Sequence, residues 1–145
     1  MIKNIIAITL FTLMSSAVFA QAEPSAIPPA LARISAFEDV PWTVLPDGRR
    51  RKVWFSDKMT FTLWEITRPE PQVTEIPLHS HPHEQITYIM SGKGIARVGA
   101  IEKPVAEGSV LVVPGNVPHG VKILSDKLVC IDVFSPAREE FRVHV

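Results

Sequence analysis

The chain has 145 residues, enough for one domain of ordinary size and too few for two. Its 15 basic and 15 acidic residues cancel, which removes the electrostatic reason to expect a polyanionic partner such as nucleic acid. The single cysteine, Cys130, excludes an intramolecular disulfide; inside Leu128-Val129-Cys130-Ile131 it reads as a buried small hydrophobe rather than a nucleophile.

Residues 1–20 have the layout of a cleavable secretory signal. Lys3 is followed by a mostly apolar stretch from Ile5 to Phe19, then Val18-Phe19-Ala20 before Gln21. That stretch falls short of the roughly 20 residues that span hydrocarbon, and no basic stop-transfer cluster follows. A periplasmic or secreted chain with no membrane attachment after cleavage is expected. Residues 21–32 read as a flexible, proline-containing arm, and 33–145 as one domain. Ile27 to Phe37 has room for a short helix. Arg49-Arg50-Arg51-Lys52, beside Asp47-Gly48, reads as a solvated turn leading into a strand, the alternative being a specific polyanion contact.

From Lys52 onward short strands dominate. Met59 to Thr67 is rich in β-branched and aromatic residues and is stopped by Arg68-Pro69-Glu70-Pro71. Further strands are predicted over Val73 to Leu78, Gln85 to Met90, Ile95 to Val98, Ile101 to Val105, Val110 to Val113, Val121 to Leu124 and Leu128 to Phe134. Glycine or proline turns separate most of them. No long segment holds a helical period. The pattern implies an all-β sandwich or barrel.

The most informative stretch is His79-Ser80-His81-Pro82-His83-Glu84-Gln85. Residues i and i+2 of a strand face the same way, so His79 and His81 can aim two imidazoles at one point. Pro82 cannot donate to a ladder and ends the strand. Gln85 opens the next one and can point back. Much later, His119 follows the proline-braced turn Pro114-Gly115-Asn116-Val117-Pro118 and can supply a third imidazole. His83 and Glu84 are rival ligands by proximity, and the bland alternative is a set of surface histidines in a polar loop.

These two stretches resemble the motifs of the cupin family. The first, G-x5-H-x-H-x3-E-x6-G, runs through His79, His81 and Gln85 to Gly92. The second, G-x5-P-x-G-x2-H-x3-N, runs from Gly108 through Pro114 to His119. The resemblance implies a single-domain double-stranded β-helix, or jelly-roll barrel. It also implies one divalent metal ion on His79, His81, Gln85 and His119, with His83 and Glu84 left in the turn, and pairing as a homodimer. The chain departs from the motifs at Val73 and Ile123. Asn116 stands for a turn glycine, a mild change because Asn tolerates a positive φ better than most residues. Gln85 stands for the usual glutamate. Three imidazoles and an amide are all neutral, so the ion keeps its full charge, which favours Lewis-acid work over redox cycling. Imidazole suits Zn, Ni, Fe or Mn alike.

Asp132 and Phe134 share one face of the last strand, and Ile131 and Val133 the other. Ser135-Pro136-Ala137-Arg138-Glu139 reads as a helix start, with Ser135 as N-cap and Pro136 in the first helical position, placing Arg138 near the strand end. A guanidinium, a ring and a carboxylate beside a metal suit a sugar acid: Arg138 for its carboxylate, Phe134 for its ring, Asp132 for proton transfer. Taken singly, each has an ordinary structural reading. Arg51-Lys52-Val53, Pro77 to Gln85 and Asp132-Val133-Phe134-Ser135-Pro136-x-Arg138 are similar to the pectin-degradation cupins, which linearise unsaturated galacturonate. That resemblance implies a metal-dependent enzyme on a small uronate, with Asp132, Phe134 and Arg138 as substrate and catalytic residues. A dioxygenase acting on a small phenol or thiol, and a non-catalytic periplasmic sugar or metal binder, remain as alternatives.

Overall fold

The computed structural model describes residues 34–67 and 75–144. The expected export signal over 1–20 and the arm over 21–32 lie outside them. So does most of the helix considered over 27–37. Residues 34–36 are not helical, and only a 3-10 turn, Phe37–Asp39, follows.

Among the described residues, ten strands form two antiparallel sheets, the all-β jelly-roll arrangement expected. The first sheet, in spatial order, holds β1 (Thr43–Val44), β2 (Arg50–Phe55), β3 (Thr60–Thr67), β10 (Lys127–Ser135), β5 (Glu84–Ser91) and β8 (Val110–Val113). The second holds β4 (Glu75–His79), β9 (His119–Ile123), β6 (Lys93–Val98) and β7 (Ile101–Ala106).

Strand periodicity divides the interior into two ends. Along β10, Leu128, Cys130, Asp132 and Phe134 are buried while Val129, Ile131 and Val133 face outward. Along β5, Gln85, Thr87 and Ile89 point in. The ladder sets Cys130 opposite Ile89, and Asp132 opposite Thr87. At one end, Ile66, Ile89, Ala96, Val121, Ile123, Leu128 and Cys130 make a dry core. Each large aliphatic side chain fully buried there contributes about 1.5–3 kcal/mol of hydrophobic stabilisation. Burial also pushes the Cys130 thiol well above its ordinary pKa, which keeps it protonated and inert. At the other end the same inward positions turn polar, and a cavity of about 390 Å³ runs from there down to Ile66, Ile89, Val121, Leu128 and Cys130 of that core.

Two sequence readings are corrected. The basic run is not a solvated turn: Arg50–Phe55 is a full strand, and Arg51 and Lys52 are buried. Trp64 and Phe141 flank the Arg51 guanidinium, and Lys52 donates to the Phe37 carbonyl oxygen, so tertiary partners invisible to local reading hold both charges. Nor does a helix start at Ser135. That residue still pairs with Glu84 in the ladder, and the Arg138 amide donates to Thr60 Oγ1 at 2.9 Å, which ties the following residues to β3. The 3-10 helix begins only at Glu139 and runs to His144.

Candidate metal centre

Each histidine is placed by a strand end. His79 is the last residue of β4 and His119 the first of β9, and the two are direct ladder partners. Close approach of these strands depends on Gly120: a Cβ there would lie 2.6 Å from the Ile76 carbonyl oxygen. His81 lies just past β4. The Asn116 amide donates to the His81 carbonyl at 2.7 Å, and Gly115 packs so closely on Pro82 that a Cβ would meet its carbonyl oxygen at 2.5 Å. Asn116 itself takes φ +65°, the conformation read from the sequence for this glycine-like position.

The ligand nitrogens of His79, His81 and His119 lie within 4.8 Å of one another. Their orientation is set from behind. Nδ1 of His79 bonds the Pro77 carbonyl at 2.9 Å, that of His81 the His83 carbonyl at 3.1 Å, and that of His119 the Val117 carbonyl at 2.9 Å. A carbonyl only accepts, so each Nδ1 carries the proton and each Nε2 keeps a free lone pair. Burial, the largest influence, lowers the pKa of both His81 and His119, which favours the neutral, ligating form.

Gln85 completes the group. Its Nε2 donates to Thr87 Oγ1 at 2.8 Å, which turns Oε1 toward the histidines. Oε1 stands 3.0 Å from His81 Nε2 and 3.1 Å from His119 Nε2. All three atoms are acceptors, and nothing among the described residues reconciles them; a cation at their centre does. With metal–nitrogen bonds of about 2.1 Å, ligands at right angles lie about 3 Å apart, which is the spacing present. The residues therefore fit a divalent ion held by His79, His81, His119 and Gln85. His83 and Glu84 stay outside this cluster: His83 supplies its carbonyl to His81, and Glu84 faces solvent at the start of β5.

Behind Gln85 the chain of bonds continues. Thr87 Oγ1 donates to Asp132 Oδ1 at 2.5 Å. Burial pushes the Asp132 carboxyl up to about 6, against the opposing effect of the hydrogen bond from Thr87. Asp132, Phe134 and Arg138 line the cavity together with His79, Gln85 and His119. Phe134 packs edge-on against His81, with ring centroids 5.6 Å apart. The Arg138 guanidinium lies 4.9 Å from the Phe134 ring centre and pairs with Glu140 at 2.7 Å. The seven predicted site residues thus converge on one end of the barrel.

Sequence reading missed two residues here. Thr87 links a metal ligand to the buried carboxylate; its signal was the strand period, which puts it on the Gln85 face, opposite Asp132. Arg51 stood in one of the segments that carry the resemblance, but as part of a basic run it was given no role at the site.

Residues 66–134 match the family described as Cupin_2, Cupin domain. The chain is 31% identical over 111 residues to the pectin degradation protein KdgF of Dickeya dadantii (strain 3937), covering 72% of this chain and 93% of that protein. Among solved structures, an RmlC-like cupin from Shewanella frigidimarina NCIMB 400 superposes with a TM-score of 0.67 at 26% identity, covering 76% of this chain and 96% of that one. KdgF from Halomonas sp. shares the fold, with a TM-score of 0.67 at 21% identity over 76% of this chain and 98% of its own.

Proposed function

The chain belongs to the cupin family, and from that premise we propose that it is a metal-dependent enzyme acting on a small uronate. The reaction would be ring opening of unsaturated galacturonate-type monosaccharides released from pectin or related polyuronides. The likeness to a pectin degradation protein supports the substrate class. The single observation that carries the chemistry is the run Gln85–Thr87–Asp132, which joins a metal ligand to a buried carboxyl in one cavity.

The three histidines and Gln85 would hold a divalent ion, which would supply Lewis-acid polarisation of a sugar oxygen. The chain's own groups do the rest. Asp132, with its pKa near 6, can give and take a proton close to neutral pH, as conversion of a cyclic hemiacetal to an open keto form requires. Phe134, buried among His81, Phe141 and the Arg138 guanidinium, holds those groups in place at the cavity wall. Arg138, on the same wall, attracts the carboxylate.

The test is the loss of absorbance of unsaturated galacturonate on adding metal-loaded protein. Rates equal to the uncatalysed reaction at full loading reject the proposal. A dioxygenase of phenols or thiols would instead show oxygen uptake with Fe(II). A non-catalytic sugar or metal binder would show affinity without turnover, and Asp132→Asn would keep that affinity. Two further expectations accompany this reading: export from the cytoplasm under the signal over 1–20, and pairing with a second copy. Exposed Ile86, Tyr88, Val110 and Val112 on the outer face of β5 and β8 support the pairing.

A further inference from the structure

The cavity wall opposite in character to the metal centre is cationic and aromatic. Arg51, on β2, is 9% exposed and makes no hydrogen bond or ion pair among the described residues; its Nε is buried without an acceptor. Its guanidinium lies 3.9 Å from the centre of the Phe141 ring and 5.3 Å from that of Trp64. Trp64 lines the same cavity, and its Nε1 is also buried without an acceptor. Arg138 shares the Phe141 ring, 4.4 Å from its centre, but Glu140 already engages it. Arg49 is likewise taken up, by Asp47.

A buried donor left unpaired is destabilising, and an unpaired buried cation more so. Burial, and next the charge of Arg138, press the Arg51 pKa below its ordinary value, while the charge of Glu140 opposes them only in part. Aromatic faces attract the charge but accept no N–H in the plane of the guanidinium. Arg51 and Trp64 both line the cavity, and their orphan donors, closed off within its wall, ask for an acceptor with more than one oxygen. A carboxylate meets that need, because Arg can hold it by two parallel hydrogen bonds.

We propose that Arg51 and the Trp64 indole N–H form an anion subsite that takes the substrate carboxylate, so that two guanidinium groups rather than Arg138 alone select a sugar acid over a neutral sugar. This rests on the reading of the cavity as a uronate site. The subsite makes Arg51 a specificity-determining residue and assigns Arg138, tethered by Glu140, to the rim of the same anion site.

The test is calorimetric titration of metal-loaded protein with saturated galacturonate, its neutral amide and simple carboxylates. Wild type is expected to bind galacturonate at least tenfold more tightly than the amide. Arg51→Met and Trp64→Phe should each erase most of that preference, and Arg51→Lys should restore part of it. In turnover, Arg51→Met should raise KM at least tenfold with a much smaller change in kcat. A wild-type preference that survives Arg51→Met overturns the subsite and leaves the uronate reading standing. Loss of binding of other carboxylates in Arg51→Met, with no preference for galacturonate in wild type, supports the subsite and rejects the uronate. Failure of wild type to bind any carboxylate overturns both. Thermal melting separates packing from recognition: without ligand, Arg51→Met should melt at or above the wild-type temperature. A fall of several degrees would assign Arg51 to packing on Phe141 and overturn the proposal.

Discussion

His79 and His119 stand directly opposite each other in the β4–β9 ladder, with ring centroids 4.3 Å apart. One is exposed and the other buried, so the centre has a wet side and a dry side. The relationship makes backbone pairing, rather than loop conformation, responsible for bringing the distant ligand in.

Removing either partner should therefore empty the site. His119→Ala, or Gly120→Val next to it, is expected to cut metal content after dialysis to below a tenth of wild type. Elemental analysis checks this. Gly120→Val acts without touching a ligand, because a side chain there collides with the β4 backbone. Retention of one ion per chain in Gly120→Val would show that the β4–β9 spacing is not needed.

Thr87→Val keeps the shape and deletes the hydroxyl that receives from Gln85 and donates to Asp132. Groups that orient ligands typically change metal affinity 10- to 100-fold, and that is the loss expected. The unpaired polar groups should also lower stability by about 1–3 kcal/mol. Competition with a chelator and urea denaturation measure the two effects. Thr87→Ser should restore both.

Gln85→Glu tests the neutral donor set. A carboxylate should bind a divalent ion more tightly than the amide. It also demands the only Thr87 proton that Asp132 receives, and sets a second negative charge near that carboxyl. The expected outcome is higher metal affinity with ring-opening activity reduced at least tenfold. Equal activity in both proteins would detach Asp132 from the reaction.

The Asp132 carboxyl, raised to about 6 from 3.8, binds its proton more tightly in the folded protein than in the unfolded chain. The stability this adds is complete below about pH 4 and is lost as pH rises through about 6. Asp132→Asn removes the dependence while keeping an acceptor for Thr87. In metal-free protein the variant should match wild type near pH 4 and exceed it above pH 7, by up to about 3 kcal/mol. His81 and His119, depressed by burial, act in the opposite sense, adding stability at neutral pH that is lost on acidification; they are common to both proteins and drop out of the difference. Thermal melts across pH 4–8 give the comparison.

Pairing through the outer face of β5 and β8 should be sensitive to charge. Val112, 66% exposed beside Ile86, offers a position where Lys costs the monomer little. Val112→Lys is expected to shift sedimentation from dimer to monomer with no change in metal content. A wild-type chain that sediments as a monomer rejects the pairing.

Much of this site could be read from local rules. The two-residue period put His79 and His81 together and set Asp132 and Phe134 on one inward face. Gln85 and His119 were legible as candidates, but the motif spacing was needed to join them, because His119 meets His79 through a ladder between remote strands and Gln85 reaches both from the other sheet. Arg51 stood in a segment that carries the family resemblance but had no role, because a run of four basic residues looks solvated, and only Phe141, contributed by the far end of the chain, together with Trp64, makes burial tolerable. The Ser135 N-cap pattern was locally sound and lost to a ladder partner, Glu84, that capping rules do not see.

The bare Cα of Gly115 resting on the Pro82 carbonyl locks two turns together. Neither turn near the imidazoles can lengthen without prising the other loose, so the two behave as one clasp: a residue inserted into either should unseat His81 while the sheets stay paired.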